Sequence, residues 1–148
     1  MGQMKISTKG RYSLRMLLDL AEHRHEGFVS LKDISERQGI SKKYLEQLVS
    51  LLNHPDILRS TRGNKGGYML AKEPDQYTVG QILRITEGGI PVVSCLEGKQ
   101  NLCQRSAFCK TVSVWQGLKR TINDYLDGIT LQDILDNHTN NGAGEYHI

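Results

Sequence analysis

Apolar residues recur along this chain at helical spacing, in short segments that glycine and proline cut apart. In residues 7–26, Leu14, Leu17, Leu18 and Ala21 share one helical face, widened by Met16 and Leu20, and Gly27 closes the segment. Ser30, with Asp33 three residues later, predicts a helix start over which Leu31 and Ile34 turn inward until Gly39 breaks the run. A second start at Ser41 opens a helix over residues 42–53 that buries Leu45, Leu48, Val49 and Leu52, and Pro55 stops it. Two short helices across a tight glycine-containing turn, the second polar on its outer side, predict a helix-turn-helix. Residues 57–62 and 68–71 read as two short strands around the glycine-rich tip 63–67, a β-hairpin in the place of a wing. Thr78 opens a further helix to about Glu87, with Val79, Ile82, Leu83 and Ile85 apolar and Gly88-Gly89 ending it. From residue 89 to about 109 neither period survives, and a stretch of that length without structure of its own is functional or disordered. Then Val112, Trp115, Leu118, Ile122, Tyr125 and Leu126 mark an amphipathic helix over residues 110–126, and Thr130 caps a short one carrying Leu131, Ile134 and Leu135. The Asn-, Gly- and His-rich end, residues 138–148, reads as a disordered tail.

The pattern predicts a mainly α fold: a winged helix-turn-helix DNA-binding domain over residues 1–77, then a cysteine loop (89–109) and a long C-terminal dimerisation helix within 78–137. Charge sharpens the division. The 148 residues carry a formal +3, but residues 1–72 hold 13 Lys+Arg against 7 Asp+Glu, a net of +6, while residues 73–148 hold 6 against 9, a net of −3. A basic first half predicts a polyanion partner. No stretch approaches the ~18 consecutive apolar residues of a bilayer span. Three cysteines, an odd number with no leader pattern ahead of them, argue against a disulfide framework and for a reduced, cytoplasmic setting. No Ser/His/Asp or paired-carboxylate constellation stands out, so an enzyme is not expected.

In a winged helix the second helix of the turn motif enters the major groove and the wing reaches the backbone or a minor groove. The exposed start of the reading helix carries Ser41, Lys42, Lys43, Tyr44, Glu46 and Gln47. Lys42 and Lys43 supply phosphate attraction, Gln47 matches adenine bidentately, and Glu46 can accept from cytosine N4. The wing offers Arg59, Arg62 and Lys65 beside Gly63, where a missing side chain lets backbone approach DNA. Arg62 suits a narrow minor groove with its enhanced negative potential. Taken singly, charged helix faces and glycine-rich hairpins are commonplace; their order here, with the basic excess on the same half, favours double-stranded DNA.

The runs Met4-Lys5-Ile6-Ser7-Thr8-Lys9-Gly10-Arg11-Tyr12, Asp33-Ile34-Ser35-Glu36-Arg37-Gln38-Gly39-Ile40-Ser41, Tyr44-Leu45-Glu46-Gln47-Leu48 and Arg62-Gly63-Asn64-Lys65-Gly66-Gly67-Tyr68-Met69-Leu70 resemble the Rrf-type winged-helix transcriptional repressors, most of all their IscR branch, with RirA and NsrR as relatives. The likeness runs from residue 4 to about 137. It implies a cytoplasmic homodimeric transcription factor on a dyad-symmetric operator. It also implies DNA contacts from Glu46 and Arg62 and from Ser41, Lys43 and Gln47, with Val112, Trp115, Leu118, Ile122 and Tyr125 on an intersubunit seam.

The cysteines stand as Cys95-x7-Cys103-x5-Cys109. Neither the paired C-x2-C units of a zinc ribbon nor a C-x-x-C redox couple is present. By spacing alone, an iron–sulfur cluster held by three thiolates, unrelated free cysteines and a three-cysteine zinc site all remain open. The resemblance favours a cluster, 2Fe–2S over 4Fe–4S, since cluster-binding members carry three cysteines in this loop and CymR-like members lack them. Two departures leave the fourth ligand unidentified: Val112 stands where some members have a ligating His, and Arg11 where others have an acidic residue. Glu97, Gln104, Ser113, a partner-subunit residue, water or a small thiol remain candidates. The expected function is an iron–sulfur-dependent repressor of genes for cluster assembly or iron and sulfur metabolism. Sensing of nitric oxide, iron or redox state on the same scaffold is the alternative, and a small electron-transfer protein is a more distant one.

Overall fold

The computed structural model describes residues 5–64, 66–89 and 110–141. Lys65, Cys95, Cys103 and Cys109, most of the 89–109 loop expectation and the end of the chain from residue 142 lie outside the described residues. Among those described, the elements in order are α1 (Thr8–Glu22), a 3-10 turn (Arg24–Glu26), α2 (Leu31–Gln38), α3 (Lys42–Leu52), β1 (Leu58–Thr61), β2 (Gly67–Leu70), a second 3-10 turn (Pro74–Gln76), α4 (Val79–Glu87), α5 (Val112–Asp127) and α6 (Leu131–Asn141).

Helix starts follow from hydroxyl side chains that take up otherwise orphaned amides. Ser30 Oγ accepts from the Asp33 N–H at 3.1 Å, Ser41 Oγ from Tyr44 at 3.1 Å and Thr78 Oγ1 from Gln81 at 3.0 Å. Each such cap is worth about 1 kcal/mol. Gly39 ends α2 in the left-handed region at φ 66°, a conformation that would strain other residues and that turns the chain sharply into α3. The first helix ends at Glu22, short of the residue 26 read from the sequence, because the chain tightens there into a 3-10 turn before Gly27. The last helix runs to Asn141, so residues 138–141, assigned to the tail from composition, continue the α6 helix.

β1 and β2 pair antiparallel, Leu58 opposite Leu70 and Thr61 opposite Gly67. A third strand position joins them: the Val29 and Tyr68 backbones exchange two hydrogen bonds of 2.8 Å, which attach the wing directly to the residue preceding the Ser30 cap. The hairpin is thus fixed to the helix pair rather than free to swing about its base.

Met16, Leu17, Leu20, Ile34, Leu45, Leu48, Leu52, Ile57 and Ile82 form the buried centre, where α1, α2, α3 and α4 meet. Full burial of each such side chain contributes about 1.5–3 kcal/mol. Leu131 of α6 joins the same cluster at 0% exposure. Val79 donates to Ile129 O at 2.9 Å and Leu131 to Tyr77 O at 3.1 Å, so the chain returns after α5 to pack on the winged-helix core. Packing therefore crosses the division expected at residue 77. The C-terminal half of the chain supplies part of the helix-and-hairpin domain's own core.

Tyr77 lies at that crossing, wholly buried. Its hydroxyl donates to Ile57 O at 2.7 Å and accepts from the amides of Ala71 and Lys72 at 3.0 and 3.1 Å. One side chain thereby pins both strands' outer ends. Tyr77→Phe takes the hydroxyl acceptor from the Lys72 amide, while the Ala71 N–H and Ile57 O keep their own hydrogen bond of 3.2 Å, and it is expected to cost about 1–3 kcal/mol in urea unfolding at pH 7. Burial pushes the Tyr77 hydroxyl above its ordinary value. The unfolded chain therefore ionises first, and the stability present below about pH 10 falls as pH rises further. The same unfolding series above pH 10 is expected to show a shallower decline in Tyr77→Phe. Parallel declines would mean the phenol plays no part in the alkaline loss.

Candidate nucleic-acid interface

The candidate surface is built on α3, whose inner side is fixed by Leu45, Leu48, Val49 and Leu52. Helical period then leaves Ser41, Lys42, Lys43, Glu46 and Gln47 outward, and all five are exposed. No acidic residue lies in the first turn of α3, which carries two lysines instead. Cations at a helix N-terminus oppose the helix dipole, and a DNA phosphate placed there would be favoured by both the dipole and the lysines. Ser41 caps the turn and keeps its own hydroxyl hydrogen available as a donor. Tyr44 differs from its neighbours. It is half-buried, with its ring edge-on to Tyr12 at 5.8 Å between centroids and 88° between planes.

On the wing, Arg59, Arg62 and Gly63 are exposed as the sequence predicts, and Gly63 adopts φ 107°. Arg59 also lines an open cleft of about 410 Å³ at the wing base with Arg24, His25 and Lys72, extending the basic surface away from the tip. Arg24 there approaches Glu73 at 3.6 Å.

Behind this surface is a polar network with no local sequence signal. Asp19, 1% exposed, accepts from Arg37 Nε at 3.0 Å, Arg37 Nη2 at 2.7 Å and Gln38 Nε2 at 3.0 Å. The hydrogen bonds that Arg37 donates to Asp19 hold its guanidinium above its ordinary pKa against the opposing effect of burial. Arg15 donates to Gln38 through Nε at 3.3 Å and through Nη2 to the Gln38 carbonyl, and its Cζ lies 5.0 Å over the Tyr12 ring. These groups tie α1 to the end of α2.

Glu87, the last residue of α4, accepts from the Ser7 amide at 3.0 Å and from its hydroxyl, and Arg84 pairs with Asp127 near the end of α5. Among the described residues no group of three or more His, Cys, Asp or Glu is placed to hold a metal. Val112 is half-buried at the first position of α5, and the exposed Arg11 donates to Thr8 Oγ1 at 3.2 Å. Thr111 occupies the N-cap position of α5, two residues after Cys109.

No residue of α5 is buried against the rest of the described chain. Val112, Trp115 and Ile122 are half-covered, while Leu118 and Tyr125 are exposed, at 36% and 68%. No helix of the described residues is long and apolar enough to cross a membrane.

Residues 6–137 match the Rrf2 family, described as an iron-dependent transcriptional regulator. The HTH-type transcriptional regulator IscR of Erwinia tasmaniensis is 42% identical over 134 residues, 90% of this chain and 80% of that protein. Among solved structures, T. potens IscR is 41% identical with a TM-score of 0.70, covering 97% of this chain and 93% of that one. CymR, the global cysteine regulator of B. subtilis, is 39% identical with a TM-score of 0.73, covering 92% of this chain and 99% of that one.

Proposed function

Because the chain belongs to the Rrf2 family of DNA-binding transcriptional regulators, we propose that it is a cytoplasmic homodimer binding a palindromic operator, with an iron–sulfur cluster as its regulatory cofactor. The observation that carries the DNA-reading part is the exposed polar row Ser41, Lys42, Lys43, Glu46 and Gln47 beside the basic wing, on a hairpin locked to the helix pair through Val29 and Tyr68. Lys42, Lys43, Arg59 and Lys65 take phosphates; Arg62 enters a narrow minor groove; Glu46 and Gln47 read base edges; Gly63 gives the wing backbone close access.

The homodimer is supported by the only partly covered apolar side of α5. A sixteen-residue helix with Val112, Trp115, Leu118, Ile122 and Tyr125 along it, and nothing buried, needs a second copy to exclude water. Sedimentation at micromolar concentration is expected to return a dimer, and a monomer contradicts the assignment.

Cys95, Cys103 and Cys109 suit iron by donor chemistry, since soft thiolates are the ligands that hold such clusters. Cys109 stands three residues ahead of Val112, the first residue of α5, and a helix N-terminus favours a thiolate close to it. A bound cluster would supply iron chemistry that is sensitive to oxygen, nitric oxide or iron supply. The chain's own part is to hold it with three sulfurs and leave one position to another donor, which favours loss or reaction over permanent closure. The genes under control would be those of cluster assembly or of iron and sulfur metabolism.

The base-reading assignment has its own check. Against a duplex selected from a randomised pool by the wild-type chain, Glu46→Ala is expected to weaken binding by about 1–3 kcal/mol and relax preference at one base pair. Lys42→Gln is expected to weaken all duplexes alike and lower the salt slope by about one phosphate. Equal loss on every duplex for Glu46→Ala would make Glu46 a structural residue.

A further inference from the structure

Helix α1 touches both ends of the turn that joins α2 to α3. At one end, Arg15 holds Gln38, the last residue of α2, through Nε to Oε1 at 3.3 Å and through Nη2 to the backbone carbonyl. At the other, Tyr12 meets Tyr44, the third residue of α3, edge to face at 5.8 Å. The two grips are joined, because the Arg15 guanidinium lies 5.0 Å above the Tyr12 ring. Gln38 is itself anchored, its amide donating to the buried Asp19 at 3.0 Å. Asp19 is already matched by Arg37, so no carboxylate among the described residues neutralises Arg15. Arg15 acts here as a hydrogen-bonding fork and a cation over an aromatic face rather than as half of an ion pair.

We propose that Tyr12 and Arg15 are specificity-determining positioning residues, setting the pitch of the reading helix without touching DNA. This rests on α3 being the reading helix. Base-edge hydrogen bonds from Glu46 and Gln47 tolerate misplacement of only about 0.5 Å, and both residues lie within one turn of Tyr44. Lysine contacts to phosphates, made by long stems, follow a displaced backbone with little loss. Releasing the brace therefore removes sequence discrimination and leaves sequence-independent binding in place.

The test uses the full chain as wild type, Tyr12→Ala, Arg15→Met and Arg15→Lys. It measures affinity for a pool-selected duplex and for a scrambled duplex of the same length across a salt series. Each variant is expected to bind the selected duplex roughly ten- to a hundredfold more weakly, with scrambled-duplex affinity and salt slope unchanged. Arg15→Lys is decisive between mechanisms, because it keeps a charge for phosphate but cannot form the two-point grip on Gln38. Equal loss on both duplexes, a reduced salt slope in Arg15→Met, or wild-type discrimination in Arg15→Lys each overturns the proposal. Amide hydrogen exchange on DNA-free protein judges the brace separately. Faster exchange confined to residues 42–48 supports it, and unchanged exchange overturns it. If the wild type itself binds both duplexes equally, the DNA-reading assignment fails while the exchange result still decides the brace. Should Tyr12→Ala not fold, Arg15→Met and Arg15→Lys carry the same decision.

Discussion

Asp19→Ala is expected to destabilise the fold by about 3 kcal/mol or more, the cost of breaking a buried charge pair from one side. The carboxylate is 1% exposed and takes three hydrogen bonds of 2.7–3.0 Å from Arg37 and Gln38. Its removal strands the Gln38 amide and leaves the guanidinium without its acceptors. Arg37 is one-third exposed and can turn partly to water, which places the loss at the lower end of the usual range for such pairs. Asp19→Asn keeps the shape and one acceptor and should lose less. The measurement is urea unfolding: the midpoint should fall by between one and two molar at unchanged slope, for a slope of about 2 kcal/mol per molar. An unmoved midpoint would show that water replaces the carboxylate without penalty.

Gly67→Ala is the second large effect, and its origin is backbone contact. A Cβ at Gly67 would lie 2.3 Å from Val29 O and 2.5 Å from Val29 C, with Ser30 N at 2.9 Å. None of those atoms is the movable end of a side chain. To admit a methyl, the strand must part from Val29 and give up the two Val29–Tyr68 hydrogen bonds. Overpacking at about 1–3 kcal/mol and two lost bonds at about 1 kcal/mol each put the cost near 3–5 kcal/mol if the sheet opens. The functional result should exceed what the lost stability alone explains. At a temperature where the variant stays folded, the wing no longer holds Arg62 in register with α3, and operator affinity should fall with it. Operator binding at the wild-type level by a folded Gly67→Ala would mean that the wing does not need its Val29 attachment.

The helix pair was legible because its signals are local. Ser30, Ser41 and Thr78 cap where hydroxyl side chains were expected, and Gly39 and Gly88 stop helices in the left-handed region. The wing was legible for the same reason, from glycines between two short strand-like runs. Val29 as a third strand position was not, since a single bridged residue has no alternation to read. Asp19 interrupts an apolar face between Leu18 and Leu20, and nothing nearby says that an arginine eighteen residues on will match it. Leu131 was recognised as apolar, yet its place in the first half's core depends on where the chain returns after α5, a long-range fact. Of the candidate site, the exposed positions on α3 and the wing emerge as expected, and Tyr44 emerges as half inward because Tyr12 claims its ring. The division of charge, +6 then −3, does not coincide with a division of packing, because α4 and α6 close the core of the basic half.

What joins the two halves functionally is the proposed dependence of DNA binding on the cysteine loop. The most direct measurement starts from anaerobically purified protein with iron and sulfide counted, a cluster-free preparation of the same protein, and Cys95→Ala, Cys103→Ala and Cys109→Ala. Each is titrated against the pool-selected duplex. Cluster-loaded and cluster-free protein are expected to differ in operator affinity or sequence preference, with each cysteine variant lacking iron and matching the cluster-free form. Equal affinity and equal preference in all forms, or a colourless protein that retains zinc in place of iron and sulfide, would contradict the account.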